Sequence, residues 1–249
     1  MPLTKPIVII PTYNEKENIS DIINKVFTLS VPFHVLIVDD GSPDGTGQIV
    51  KDLMANSYQN KLHILEREGK QGLGTAYIAG FHWCLERGYD YIFEMDADFS
   101  HNPDDLVRLH HACANEGNDL AVGSRYISGA NVVNWPLARV LLSYYASRYV
   151  GIVTGMPIKD TTAGFVCYSA EVLRTLELDK IKFKGYAFQI EMKFLTWKYD
   201  FKIKEVPIIF TDRTRGVSKM NKSIIKEAFW GVLQMKFSSL FRKFDRKSN

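Results

Sequence analysis

Asp96-Ala97-Asp98 stands directly after the apolar run Tyr91-Ile92-Phe93-Glu94-Met95. Two carboxylates one residue apart at a strand end can both reach a hard cation. Mg2+ or Mn2+ takes oxygen ligands and shares its shell with phosphates. A cation there would offset the charge that builds on a departing diphosphate. The same acids could instead be solvated, or cap a helix beginning near Asn102-Pro103. A second acidic pair, Asp39-Asp40, precedes Gly41-Ser42-Pro43, a sequence that suits an Asx-type turn. Farther along, Arg139 and Ser143 lie four apart in a helix-like stretch and so share a face. With Arg125 they could grip a phosphate monoester, or Arg139 could simply snorkel from an amphipathic helix. Arg213 and Lys219 flank Gly216 in a basic run that, taken alone, reads as a solvated loop.

The elements that must position these groups are legible as alternating strands and helices. Ile7–Ile10, Val35–Val38, Leu62–Leu65 and Tyr91–Met95 are short apolar runs of the buried parallel-strand type. Between them, Lys16–Leu29 carries Ile19, Ile22, Ile23, Val26 and Phe27 at helical spacing, a helix follows Gly45-Thr46, and another spans about Thr75–Glu86. This order predicts an α/β fold with a twisted, mostly parallel sheet and right-handed crossovers. Ligands in such sheets bind beyond the carboxyl ends of the strands. Polar clusters stand at those ends at Pro11–Glu15, Asp39–Gly45 and Asp96–Ser100. Later segments read as a strand at Leu120–Gly123, helices at about Leu137–Thr154 and Phe188–Trp197, a strand at Ile203–Phe210, and a long amphipathic helix over Lys222–Phe244.

At 249 residues with 46% hydrophobic and 24% charged residues, the chain is sized for one substantial core. A net charge of +3 gives no reason to expect nucleic-acid binding. Cys84, Cys113 and Cys167 have no metal-ligand spacing and read as buried thiols in a reducing compartment. The start of the chain lacks a signal-peptide pattern, and no stretch approaches the ~20 apolar residues of a membrane span.

Pro11-Thr12-Tyr13-Asn14-Glu15, Val38-Asp39-Asp40-Gly41-Ser42-Pro43-Asp44-Gly45-Thr46, Gly72-Leu73-Gly74-Thr75-Ala76-Tyr77 and Asp96-Ala97-Asp98 together resemble the motif series of inverting family-two glycosyltransferases. More narrowly, Gly123-Ser124-Arg125-Tyr126, Asn134-Trp135-Pro136, Gly185-Tyr186-Ala187-Phe188-Gln189-Ile190-Glu191-Met192 and Arg213-x-x-Gly216-x-Ser218-Lys219 resemble the dolichol-phosphate (polyprenyl-phosphate) mannosyltransferases. The similarity runs from about Ile7 to Lys219. It implies the GT-A fold, a Rossmann-like mixed sheet flanked by helices. It also implies transfer of mannose from GDP-mannose to a polyprenyl (dolichyl) phosphate with Mg2+ or Mn2+ as cofactor.

The resemblance further implies site residues. Pro11, Tyr13, Asn14, Glu15, Val38 and Asp40 would hold the nucleoside. A carboxylate such as Asp40 accepts hydrogen bonds from base N–H groups, and Tyr13 can pack on a base. Asp96, Ala97 and Asp98 would meet the diphosphate, with Asp96 and Asp98 binding the metal. Arg213 and Lys219 would bind donor phosphate from a loop that closes over it. Arg125, Arg139 and Ser143 would hold the acceptor phosphate, with Asp96, Asp98, Arg125 and Arg213 forming the catalytic set. Glu191 could orient nearby groups, or serve as a helix-surface or core polar residue. Two positions depart from the pattern: Val166, where many relatives are basic, and Ser100, where some carry Gln.

A catalytic domain over residues 1–220, including an interfacial helix at about 137–154, and a basic amphipathic helix over 221–249 are expected. From Lys236 to Asn249, Lys236, Arg242, Lys243, Arg246 and Lys247 against the single acid Asp245 would suit an anionic membrane surface. Packing of the apolar face on the core is the alternative, and small membrane-anchoring subunits are a second route to the bilayer. The expected location is peripheral, on the cytoplasmic side of a membrane: endoplasmic reticulum in a eukaryote, plasma membrane in a prokaryote. A UDP-glucose-dependent enzyme using the same lipid and a silent nucleotide-sugar-binding protein are the rival readings.

Overall fold

A computed structural model of the chain describes residues 4–185, 187–212 and 222–245. Four strands, β1 (Pro6–Thr12), β2 (His34–Asp39), β3 (Leu62–Glu66) and β4 (Tyr91–Glu94), alternate with helices α1 (Ile19–Phe27), α2 (Thr46–Asn56) and α3 (Leu73–Glu86). There follow α4 (Asp105–Ala114), β5 (Leu120–Ser124), β6 (Val132–Val133), α5 (Leu137–Thr154), β7 (Val166–Ser169), α6 (Ala170–Thr175), α7 (Ala187–Lys198), β8 (Ile203–Pro207), β9 (Phe210–Thr211) and α8 (Lys222–Ser239). The main sheet has seven strands in the order β3-β2-β1-β4-β7-β5-β8. All its pairings are parallel except those of β7, which runs against both β4 and β5. This is the expected mixed, mostly parallel α/β architecture.

The apolar runs are continuous because both sheet faces are covered. Ile7, Ile9, Leu36 and Val38 meet Tyr77 and Phe81 of α3 on one face. Val8, Ile10, Val35 and Ile37 meet Ile19, Ile22 and Val26 of α1 and Leu106 and Leu109 of α4 on the other. A third cluster joins α5, α7 and α8 through Val150, Ile190, Phe194, Val232 and Met235. All three cysteines are buried free thiols.

β1 runs through Pro11, farther than the apolar run alone implies. The Ile9 carbonyl accepts from Met95 N–H at 3.2 Å, so Pro11, two residues on, turns its missing N–H toward the same side. The β1–β4 register has ended by then, at Ile9 opposite Glu94, and no ladder bond is lost. The stretch expected as one strand over Ile203–Phe210 is two strands. The chain leaves the main sheet after Pro207, and Phe210–Thr211 pairs with β6 in a separate two-stranded sheet. The last helix stops at Ser239 rather than Phe244. Ser239 Oγ donates to the Lys236 carbonyl at 2.7 Å, and Phe244 turns back against Tyr199 with ring centroids 5.3 Å apart.

Candidate active site

The ends of β1 and β2 are joined into one rim. Asp39 serves the turn: it accepts from Thr12 Oγ1 at 2.7 Å, Ser42 N–H at 2.9 Å and Ser42 Oγ at 2.6 Å. Asn14, at φ 57°, donates its N–H to Ser42 Oγ at 2.9 Å, and Glu15 N–H reaches Thr46 Oγ1 at 3.1 Å. These bonds fix Pro11–Glu15 beside Val38 and Asp40. Asp40 is buried and tied by the Arg67 Nε–H at 2.7 Å, while Arg67 also donates to Thr75 Oγ1 at 3.0 Å. One nitrogen of that guanidinium, Nη2, is buried without a partner. Lys70 Nζ lies 5.5 Å from the Tyr13 ring centroid, placing positive charge at the same rim.

Asp96, Ala97 and Asp98 leave β4 in a tight turn. Ser100 N–H donates to Asp98 Oδ1 at 3.0 Å, and Phe99 takes φ 59°. The Asp96 N–H lies 3.4 Å from His101 Nδ1. His101 is fully buried, stacks on Phe165 at 4.8 Å, and burial pushes its pKa down to about 4, so its ring is neutral. Beneath the turn, the buried hydroxyl of Tyr77 has no partner. Its pKa is driven well up, first by burial and then by the charges of Asp96 and Glu94. Among the described residues no three His, Cys, Asp or Glu side chains cluster as a ready-made cage. Two carboxylates just beyond the carboxyl end of the central strand, Asp98 among the buried residues, with no sulfur donor, fit a hard divalent ion that takes its other ligands from phosphate and water.

A cationic and aromatic wall is joined to this turn through His101, whose ring meets Phe210 at 5.3 Å, and Phe210 meets Trp135 at 5.2 Å. Arg139 stacks over Trp135 at 4.1 Å and donates from Nη1 to Asp212 Oδ1 at 3.0 Å. Arg139 Nε, Trp135 Nε1 and Ser143 Oγ are all buried without partners. The expected grip of Arg125 on a phosphate meets an internal rival. Its guanidinium forms a two-point pair with Asp160 at 2.7 and 2.6 Å, and it donates to Thr162 Oγ1 at 2.9 Å. Burial alone would raise the Asp160 pKa, but the adjacent Arg125 charge outweighs it and holds the carboxyl low. Arg125 also lies 5.6 Å from the rings of Trp135 and Phe210, so it organises this wall. Arg213 and Lys219 lie outside the described residues.

Glu191 faces inward, accepting from the N–H groups of Lys182 at 2.9 Å and Phe183 at 3.0 Å. It shapes the loop before α7. Sequence reasoning missed Arg67, Trp135 as an orphaned donor, Asp160 and the buried Lys193. An isolated Arg or Lys in sequence carries no mark of its partner, and Asp160 stands 35 residues from Arg125.

The family model for glycosyl transferase family 2 matches residues 7–176. A polyprenol monophosphomannose synthase from Mycolicibacterium smegmatis is 46% identical over 233 residues, 94% of this chain and 87% of that protein. An undecaprenyl-phosphate mannosyltransferase from Micrococcus luteus is 45% identical over 231 residues, 91% of this chain and 93% of that protein. Among solved structures, glucosyl-3-phosphoglycerate synthase from Mycobacterium tuberculosis, in complex with Mn2+, UDP and glucosyl-3-phosphoglycerate, superposes with TM-score 0.67. It is 17% identical, and the match covers 94% of this chain and 79% of that one. A mannosyltransferase from Pyrobaculum calidifontis in complex with GDP-Man and Mn2+ superposes with TM-score 0.58 at 17% identity, over 97% of this chain and 66% of that one. The two structures share the fold.

Proposed function

Because this chain belongs to glycosyl transferase family 2, we propose that it transfers mannose from GDP-mannose to a polyprenyl phosphate, giving a β-linked mannosyl phospholipid. One observation carries the acceptor half of this reading. Three unpartnered buried donors stand at the start of α5: Arg139 and Ser143 are four apart on the helix, and Trp135, just before it, stacks under Arg139 at 4.1 Å. An anionic group that fills them satisfies polar atoms otherwise left at a cost. The names of the two relatives at 45–46% identity support mannose and a polyprenyl phosphate, and GDP-mannose is the donor that the motif resemblance implies.

In this mechanism Asp40, steadied by Arg67, accepts from a base N–H, and Tyr13 packs on the base, with Pro11, Asn14, Glu15 and Val38 completing the nucleoside rim. Asp96 and Asp98 would hold Mg2+ or Mn2+, which when bound neutralises charge developing on the diphosphate; Ala97 lines the same turn. Arg213 and Lys219 add positive charge to the donor phosphates. Arg139 and Ser143, with Trp135, orient the acceptor phosphate, while Arg125 holds their wall in place. A phosphate monoester has its second pKa near ~6 and is largely dianionic at neutral pH, so no dedicated base is needed. Its oxygen forms the bond to the anomeric carbon as the sugar–diphosphate bond breaks, and GDP departs with the electron pair. One displacement inverts the anomeric centre.

The catalytic unit spans residues 1–220 and the final helix adds a membrane-facing element. Among the described residues no helix is long and apolar enough to cross a membrane. Yet α5 exposes Leu137, Leu141, Tyr145 and Ile152, the last at 77%, and α8 exposes Phe229, Trp230, Leu233 and Phe237. The two helices are locked together by Tyr149, which stacks on Phe229 at 4.8 Å and donates to its carbonyl at 3.0 Å. The opposite face of α8 packs on the core through Val232 and Met235, which leaves the exposed face free for a membrane surface. The apolar platform rests on the cytoplasmic surface of a bilayer, where the lipid acceptor resides. The basic cluster contributes less than its count suggests, since Lys236 Nζ donates to the Thr154 carbonyl at 3.0 Å and Arg242 pairs with Glu177 at 2.6 Å.

A transfer assay pairing GDP-mannose and UDP-glucose with polyprenyl phosphate tests the reading. Mannose transfer from GDP-mannose is expected; sole use of UDP-glucose would refute the sugar, and donor binding without nucleotide release would favour a silent binder.

A further inference from the structure

Asp212 occupies the guanidinium that a phosphate would need. Its carboxylate accepts from Arg139 Nη1 at 3.0 Å, with the two side chains only 27% and 28% exposed. Arg139 is pinned against Trp135 at 4.1 Å and cannot swing away without losing that stack. Three donors in this cluster have no partner even with Asp212 in place. A single carboxylate therefore satisfies the site incompletely. A phosphate dianion offers more charge and three acceptor oxygens, enough for Arg139, Ser143 and Trp135 together.

Asp212 is also fixed from behind. Its N–H donates to the Val133 carbonyl at 3.0 Å, and the preceding Thr211 N–H donates to the Ser100 carbonyl at 3.1 Å. Val133 lies two residues before Trp135, and Ser100 two after Asp98. The carboxylate is thus delivered by a strand bonded to both the acceptor wall and the turn that carries Asp98.

We infer that Asp212 is an internal anion that fills the acceptor-phosphate site until a phosphate dianion displaces it, making Asp212 a specificity-determining residue. The inference rests on the acceptor site proposed above. Water and neutral alcohols, which carry no charge to compete with the carboxylate, do not open the site. A dianionic monoester does, because it forms more charge-assisted bonds to the same arginine than the aspartate it replaces.

The test compares Asp212→Asn, Asp212→Glu and Arg139→Gln with the parent protein, using a short water-soluble isoprenyl phosphate as acceptor and inorganic phosphate as competing inhibitor. Asp212→Asn keeps the shape and removes the competing charge. It is expected to lower the acceptor KM by about two- to fivefold, the range of a partly exposed ion pair. Inhibition by inorganic phosphate should tighten by the same factor, with the GDP-mannose KM unchanged. Asp212→Glu restores the charge and should return both values toward those of the parent. An acceptor KM that is unchanged or raised in Asp212→Asn, while Arg139→Gln raises it strongly, overturns the inference and leaves the acceptor site standing. An unchanged acceptor KM in Arg139→Gln removes the acceptor site itself, and the inference with it.

Discussion

Gln189 donates its side-chain amide to the Glu94 carboxylate at 2.6 Å, two residues before the Asp96–Asp98 turn begins. The same amide's oxygen accepts from Lys193 Nζ at 3.2 Å, and Lys193 also donates to the Ala163 carbonyl at 2.6 Å. Glu94 and Lys193 are both completely buried. Burial raises the first pKa and lowers the second, each opposed by the partner's charge. This bridge ties the β4 end to α7 and to the segment that carries Asp160.

Replacing Gln189 with Leu strands the buried Glu94 carboxyl and removes one of the acceptors of Lys193, which keeps the carbonyls of Ala163 and residue 189. Unfolding stability is expected to fall by about 2–4 kcal/mol, read from urea denaturation at constant slope. An unaltered midpoint would show that the bridge contributes nothing.

Asp98→Ala should reduce turnover at least ~100-fold, the scale of losing one major electrostatic stabiliser. Manganese titration of the variant should show weakened activation. Near-normal rates would count decisively against a metal at this turn.

Gly74→Ala places a methyl group 2.8 Å from ring carbons of Phe188 and 3.1 Å from the Phe183 carbonyl. Phe188 is fully buried and lies parallel to Tyr77 at 6.0 Å, so it cannot yield. We expect a loss of about 1–3 kcal/mol in thermal or urea unfolding. A neutral substitution would mean that the loop before α7 gives way instead.

Acid should weaken the fold through His34 and His63. Burial first, then Lys5 and Lys61, lowers the pKa of His34; burial first, then His34 and Arg87, lowers that of His63. The unfolded chain, with ordinary histidines near ~6.5, binds protons more readily than the folded one, so stability declines as pH falls through and below that value. Substituting both residues by Phe should flatten the slope of stability against pH in this window, whatever it does to the absolute level. A slope identical to the parent's would assign the acid sensitivity elsewhere.

Trp230→Glu combined with Phe237→Glu should weaken binding to anionic vesicles at least ~10-fold, since each large side chain is worth about 1.5–3 kcal/mol when buried in an apolar phase. Turnover of a water-soluble acceptor should survive. Vesicle binding indifferent to both changes would remove this platform from the membrane contact.

The early half of the fold is readable because buried parallel strands appear as unbroken apolar runs, each ending in a polar cluster. β7 escaped because Val166-Cys167-Tyr168-Ser169 is short and its pairing partners lie far away in sequence. The break at Pro207 was present as a residue but needed the neighbouring strand to give it meaning. Lys193 looked like any helix-surface lysine; only packing shows that it is interior. Asp39, not the Asp40 adjoining Gly41, serves the turn, and the Arg67 partner that occupies Asp40 is invisible without the β3 register.

β7 has a consequence for how the chain is made. It lies between β4 and β5 in the sheet yet follows both in sequence, so a nascent chain on the ribosome holds two unsealed hydrogen-bonding edges until residues 166–169 emerge. Synthesis that stalls in that interval leaves a half-sheet open to self-association or chaperone capture, and one four-residue strand then seals β4 and one edge of β5, whose other edge waits for β8.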